Sequence, residues 1–405
     1  MTTNLCAPCY ALAVLARDGA GPVGPGAIGV PPVHDVSAAA SGLRSKLAEV
    51  LLRTGRHAEA RDTVREAMRL LGAHDRSQAA RLQALLGRVE IADHRYAAAV
   101  TAFDAADELI GAHPEDGDQA TVDLWLEVQL DGRAYAHYWR NEPEKAALAL
   151  AVARPVVEAR GTPARRRTFH MNFALQRLRE NRYRVDDEIL ANQQAAVTAA
   201  EQGGREHDIA FTLFGLGFCQ LWHGDLAQAR ETLETSLAGA DHTGDVVLRA
   251  RCLCYLNVAA LRRHDVDAVR SLSPEARAAA EAASYPEYVA AADAAQAWVA
   301  WQDGHYEEVV DLATRALEVW GTTVVSYSWY WICLWPLISV RLAGGHVPEA
   351  VEAAHQLLAP PQQRFPDELE TLLQAAIEAW DGGQPRVAAA RLGEAVELAQ
   401  RLAYA

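Results

Sequence analysis

The sequence predicts an all-α fold, a right-handed superhelical solenoid of about nine helix-turn-helix units. Three observations carry that expectation. Half of the 405 residues are hydrophobic; Ala and Leu dominate and β-branched runs are few, which favours helix over sheet. A turn-like segment recurs along the chain at a nearly constant interval. Small residues stand at fixed distances from that turn, where two helices must cross closely.

The turns run in order as TGRHAEA (54–60), DHRYAAA (93–99), NEPEKAA (141–147), NRYRVDD (181–187), GDLAQAR (224–230), HDVDAVR (264–270), GHYEEVV (304–310), GHVPEAV (345–351) and GQPRVAA (383–389). The residue that follows each turn serves as a marker: His57, Tyr96, Pro143, Tyr183, Leu226, Val266, Tyr306, Val347 and Pro385. The markers are 39, 47, 40, 43, 40, 40, 41 and 38 residues apart. Self-similarity at such a period points to stacked helical units. Three residues after the marker stand Ala60, Ala99, Ala146, Ala229, Ala350 and Ala388, while Asp186, Val269 and Val309 depart. Nine residues before it stand Ala48, Gly87, Ala134, Ala174, Gly217, Ala297 and Ala376. Ten after it come Ala67, Ala106, Ala153 and Ala316.

The array is expected over residues 43–405, behind a disordered or flexible lead-in over 1–42. Residues 18–42 are rich in Gly, Pro and Ala, the composition of a linker. The glycines of GAGPVGPGAIG are not followed by Gly-Lys-Ser/Thr, and the prolines remove N–H donors that a phosphate loop needs. Cys6-Ala-Pro-Cys9 is a lone CxxC without a second ligand pair. The other cysteines, Cys219, Cys252, Cys254 and Cys333, are scattered and show no disulfide framework. The apolar segment 5–16 has no basic residue before it, unlike a signal peptide, and the expected location is cytoplasmic.

One stretch, WGTTVVSYSWYWICLWPLISVR (320–341), is uncharged from Val319 to Val340, about the length that crosses a bilayer. It also carries Thr322, Thr323, Ser326, Tyr327, Ser328, Tyr330, Ser339 and Pro336, which is polar for a lipid-facing segment. It precedes the eighth turn, where that unit's first helix belongs. A helix packed by neighbours on both sides can be apolar all round, so a buried repeat helix is expected, with ligand contact compatible. No membrane span is expected.

The formal net charge of −15 argues against binding phosphate backbones. The run Arg165-Arg166-Arg167 reads as a short solvated cluster. His170, His223, His264 and His305 do not cluster at metal-ligand spacing. No GxxxxGK[ST], HExxH or GxSxG is present, so no catalytic residue, metal site or cofactor is expected. Carboxylate clusters such as Asp186-Asp187-Glu188 and Glu307-Glu308 adjoin turns and suit helix N-termini.

Leu86-Gly87…Tyr96…Ala99…Phe103…Ala106 and Leu216-Gly217…Gly224-Asp225-Leu226…Ala229 resemble the tetratricopeptide repeat, with a period longer than the usual 34 or so. That resemblance implies partner binding by the first helix of each unit, on a stripe fifteen, twelve, eight, five and four residues before the marker. In unit three the stripe holds Val128, Asp131, Tyr135, Tyr138 and Trp139. In unit five it holds Phe211, Phe214, Phe218, Leu221 and Trp222. Unit six supplies Arg251, unit seven Trp298 and Trp301, unit eight Trp335. Taken singly, these aromatics suit inter-repeat core. Taken together, five large apolar residues on one face of unit five exceed what neighbour packing needs, and aromatic stripes suit hot spots. Asn172, Gln176 and Asn257 are weaker candidates for reading a peptide backbone, with capping or solvated roles as the alternative.

The segments VDLWLEVQLDGRAYAHYWRNEP (122–143), DEILANQQAAVTAAEQGGREHDIA (187–210), LGFCQLWHGDLAQA (216–229), DVVLRARCLCYLNVAALRRHDVDAVRSL (245–272) and WICLWPLISVRLAGGHVPEAV (331–351) are similar to the C-terminal repeat region of large bacterial regulators. Those proteins place an adenylate/guanylate cyclase domain and an AAA-type ATPase domain before such repeats. Neither domain is legible in this sequence. The resemblance implies a bacterial signalling role: a non-catalytic module that binds a protein or peptide partner in its groove. The alternative it leaves open is a small-molecule sensor that regulates an ATPase or cyclase partner in trans.

Overall fold

In the computed structural model, residues 33–53, 55–71, 75–111, 116–323 and 328–405 are described. The CxxC and the apolar segment 5–16 lie outside them. The expected lead-in reaches residue 42, whereas the first helix begins at Val33; its alanine-rich VSAAASG stretch is a good helix former.

The chain is an all-α solenoid of helix-turn-helix units. Unit one pairs α1 (Val33–Arg53) with α2 (His57–Leu71), and unit two α3 (Arg76–Ala92) with α4 (Tyr96–Ile110). Unit three opens with α5 (Gln119–Glu127), a π-helical segment (Val128–Ala134) and α6 (Tyr135–Trp139), followed by α7 (Pro143–Arg160). Units four to six are α8 (Pro163–Glu180) with α9 (Asp187–Gly203), α10 (Glu206–His223) with α11 (Leu226–Thr243), and α12 (Val246–Arg262) with α13 (Val266–Ala282). Units seven to nine are α14 (Pro286–Gln302) with α15 (Tyr306–Thr322), α16 (Trp331–Ala343) with α17 (Val347–Leu358), and α18 (Asp367–Asp381) with α19 (Pro385–Arg401).

Eight of the nine markers are the first residue of their unit's second helix. The turn before them has one chemistry. Two residues before the marker the backbone is left-handed, at Gly55, His94, Asn141, Gly224, His264, Gly304, Gly345 and Gly383. The next N–H then donates back to the carbonyl five residues earlier, as in Asp225 to Gln220 (2.9 Å) and His305 to Ala300 (2.8 Å). That closure satisfies carbonyls the helix end leaves over. Asp75, Asp118, Thr162 and Asp245 cap the N-termini of first helices with side-chain oxygens.

The turn of unit four is different. Arg182 and Tyr183 are both left-handed, with φ of 47° and 64°, and α9 starts four residues after its marker. This turn is bonded to the loop between α17 and α18. Arg364 N donates to Arg182 O (2.8 Å), Arg182 Nε to Gln362 O (3.1 Å), and Arg184 pairs with Asp367 (2.9 Å). A second brace joins unit six to the C-terminus: Arg262 Nε donates to Ala403 O (3.3 Å), and His264 Nε2 lies 3.1 Å from Gln400 O. Contacts therefore run beyond nearest-neighbour units.

The uncharged stretch is divided between the end of α15, the segment before α16, and α16 itself. Trp329, Trp331, Ile332, Cys333, Leu334 and Trp335 are buried. Among the described residues no helix is long and apolar enough to cross a membrane. Of the arginine run only Arg166 is exposed; Arg165 pairs with Glu127 (3.0 Å) and Asp131, and Arg167 with Asp208 (3.7 Å).

Small residues sit where expected. Ala60, Ala99 and Ala229 have no exposed surface. The Phe103 ring fills the space that two glycines leave. A Cβ on Gly87 would lie 2.5 Å from its Cζ, and one on Gly132 would lie 2.7 Å from the ring. Ala is worth about 1 kcal/mol over Gly in a helix interior, but this overlap outweighs that gain. Gly87→Ala is expected to cost about 1–3 kcal/mol of overpacking, with part recovered by adding Phe103→Leu. Urea denaturation of the single and double variants checks this; an unchanged midpoint for Gly87→Ala would show that the ring has room to move.

Candidate functional site

The site is built from first helices. Tyr135, Tyr138 and Trp139 come from α6, Met171, Leu175, Leu178 and Arg179 from α8, Phe211, Phe214 and Phe218 from α10, Arg251 and Tyr255 from α12, and Tyr288 from α14. They surround a cavity of about 140 Å³. Tyr183 of the unit-four turn, Gln193 of α9, and Ser328 and Trp329 before α16 complete its wall.

Ring contacts hold the wall together. Phe218 meets Tyr255 edge-on at 5.0 Å, Phe214 meets Tyr255 at 5.6 Å, and Tyr288 meets Trp329 at 5.0 Å. Trp329 Nε1 donates to Tyr255 Oη at 3.1 Å. On the opposite side Tyr138 meets Trp139 at 5.0 Å, and Trp139 stacks on Tyr96 of α4. The Arg179 guanidinium lies over Tyr138 (4.9 Å) and Tyr183 (5.7 Å), and that of Arg251 over Phe211 (5.9 Å) and Tyr285 (6.0 Å). These are favourable cation–π distances. Burial pushes the phenols of Tyr135, Tyr183, Tyr255 and Tyr288 above their ordinary range, so they stay protonated. Among the described lining residues there is no carboxylate. Gln193 is buried, and its Oε1 has no hydrogen-bond partner.

Seven of the fourteen stripe residues meet at this cavity: Tyr135, Tyr138, Trp139, Phe211, Phe214, Phe218 and Arg251. Val128 and Leu221 are fully buried away from it, and five more partner-binding candidates lie elsewhere. Asp131 lines a separate charged cleft with Arg88, Glu127, Arg165, Arg167 and Arg205. The cause is the π segment: it turns the chain less per residue than an α-helix, so the face before it is rotated away from the face after it. Desolvation raises the Asp131 carboxyl above its ordinary range, and the Arg165 charge opposes that shift.

Trp222 sits behind Phe218, covered by Trp331 (6.1 Å) and the Arg262 guanidinium (5.7 Å). Trp298 is 1% exposed and Trp335 wholly buried, the latter against Phe365 at 5.6 Å. Trp301 is half-buried, with its indole N–H on Ser339 Oγ (3.1 Å). In this half of the array the inner face is filled by the C-terminal elements, so stripe positions there become core.

Four cavity residues escaped the sequence reading although the offsets reach them. Counted back from Tyr183, the positions twelve, eight, five and four before it are Met171, Leu175, Leu178 and Arg179, all in the wall. Tyr255, Tyr288 and Trp329 lie off the stripe, and no periodic signal marks them.

The fold is that of a helical-repeat array of tetratricopeptide type. No protein-family model and no curated protein matches the sequence. Solved structures do match. A Rap protein complexed with competence and sporulation factor is 12% identical, with 90% of this chain and 98% of that one covered at a TM-score of 0.57. A signal transduction ATPase with numerous domains (STAND) and a tetratricopeptide repeat sensor, from Pyrococcus horikoshii, is 14% identical, with 80% and 49% covered at 0.54. Aspartyl phosphate phosphatase F from Bacillus subtilis is 10% identical, with 85% and 99% covered at 0.52. At such identities the likeness is one of fold.

The two kinds of stripe position should separate in stability. Trp298→Ala is expected to cost about 3–5 kcal/mol, as for a large ring removed from a core. Phe214→Ala, on the cavity wall, should cost less than about 2 kcal/mol. Equal losses in urea denaturation would make the wall rings ordinary core.

Proposed function

We propose that this chain is a non-catalytic recognition module of bacterial signalling. It acts in the cytoplasm and binds a segment of a protein partner in the inner-face cavity. The observation that supports this most is convergence. First helices of units three to seven each place aromatic, apolar or arginine side chains on one partly open cavity. Large, stiff aromatic rings around a concave site are the usual anchors of recognition. The fold it shares with a Rap protein complexed with competence and sporulation factor, and with a STAND ATPase sensor, fits a regulatory setting. One similar fold belongs to an aspartyl phosphate phosphatase. We assign no such chemistry to this cavity, whose lining is neutral rings and two arginines with no carboxylate among the described residues.

The size of the cavity favours a second reading, a small effector. A space of about 140 Å³ matches one benzene-sized ring. Under that reading the ligand regulates an ATPase or cyclase partner in trans.

Selection from a displayed random-peptide library tests the first reading. The wild-type chain should enrich peptides that share an apolar or aromatic position. A Phe211→Ala/Phe214→Ala variant with unchanged far-UV circular dichroism should not. Enrichment that does not differ between the two baits would remove the partner-segment reading and leave the effector.

A further inference from the structure

We infer that Gln193 is the specificity residue of the cavity: it accepts a hydrogen bond from an N–H that the occupant carries beside an apolar group. This deepens the reading of the cavity as a binding site and rests on it. Among the described lining residues Gln193 alone comes from a second helix, α9. It is 2% exposed, and its Oε1 has no hydrogen-bond partner. A buried acceptor left unmet costs more than an apolar side chain of the same shape in its place. Other polar groups of the wall have partners within the protein. Trp329 Nε1 donates to Tyr255 Oη, and the Arg179 and Arg251 guanidinium groups lie over rings. The unmet amide oxygen therefore marks where an occupant completes the wall.

Gly215 is the second, independent observation. It lines the same cavity from the middle of α10, where glycine costs about 1 kcal/mol relative to alanine. A Cβ there would lie 3.1 Å from Gln193 Oε1 and 3.3 Å from Nε2, and its three nearest atoms all belong to that amide. Gly87, Gly132 and Gly217 instead make room for the Phe103 ring and the Leu233 side chain. The gap at Gly215 thus serves the Gln193 amide. The terminal torsion of glutamine is broad, so without a side chain at 215 the amide has room to turn toward an N–H in the cavity. A peptide main chain carries such an N–H beside each apolar side chain. A free heteroaromatic effector carries it in the ring.

Calorimetric titration of the full chain with two matched pairs of probes tests the inference. One pair is N-acetyl-phenylalanine methylamide and its ester analogue, in which oxygen replaces the phenylalanine N–H. The other is indole and 1-methylindole. The N–H member is expected to bind at least roughly fivefold more tightly than its mate. Preference in the peptide pair points to a main chain, and preference in the indole pair alone to a free effector. Gln193→Met should abolish the preference with unchanged far-UV circular dichroism, and should raise the urea midpoint by removing the unmet acceptor. Gly215→Ala, which crowds the same amide, should shrink the preference. Equal binding within both pairs, or a preference that neither variant changes, overturns the inference while the cavity stands as a site. A lowered midpoint for Gln193→Met makes the amide part of the framework and also overturns it. Where only library-selected peptides bind, equal binding of them by wild type and Gln193→Met overturns the inference alone. If those peptides fail as well, the reading of the cavity as a site falls with it.

Discussion

The close crossing of two helices inside each unit is the constraint on which the rest depends. It exists because the side chain at the crossing is a methyl group or a hydrogen. Ala60, Ala99 and Ala229 are buried completely, Gly217 lies against Leu233 and the backbone of Ala229, and Gly87 against the Phe103 ring. A side chain too large for the space there would push the pair apart and change the angle at which the next unit stacks. Where Val269 and Val309 replace alanine they too are fully buried, so the position also takes a branched apolar side chain. Constant crossing geometry gives the array its regular stacking. Regular stacking places the first helices side by side, and rings from five of these units then face one space.

Much of this was legible in the sequence. Turn, marker and small residues fixed the unit boundaries, because a left-handed residue and a short closure bond need recognisable residues. Glycine announces that position in five of the eight regular turns, and His94, Asn141 and His264 fill it in the others. Unit four hides its boundary, since Arg182 and Tyr183 occupy left-handed conformations that neither residue type signals. The stripe was legible only in part. Counting from the marker works while the helix is α-helical, as for Tyr135, Tyr138 and Trp139. It fails across the π segment, as for Asp131. It also fails where distant elements fold onto the stripe, as for Trp335 beneath Phe365. A periodic pattern carries local geometry and says nothing about which units a superhelix brings together.

Those long-range contacts give the cavity its character. A strictly nearest-neighbour array deforms readily, and an open inner face would admit an extended segment along its length. In this chain ring contacts continue from Phe214 through Phe218, Trp222 and Trp331 to Tyr404 and Phe365. They fill the inner face of the later units and leave open space beside the earlier ones. The result is a partly open cavity at one level of the array instead of a trough along all of it.

The irregular turn of unit four ties that site to the rest of the molecule. Tyr183 lines the cavity, and the residues on either side of it, Arg182 and Arg184, hold the loop between units eight and nine through backbone and ion-pair contacts. Two adjacent non-glycine residues in the left-handed region cost of order 1–3 kcal/mol each unless their surroundings enforce them. Here the surroundings are the brace on one side and the packed phenol on the other. Removing either one takes away part of what keeps the turn in place. One short segment of backbone therefore carries both the phenol on the cavity wall and the brace to the loop between units eight and nine.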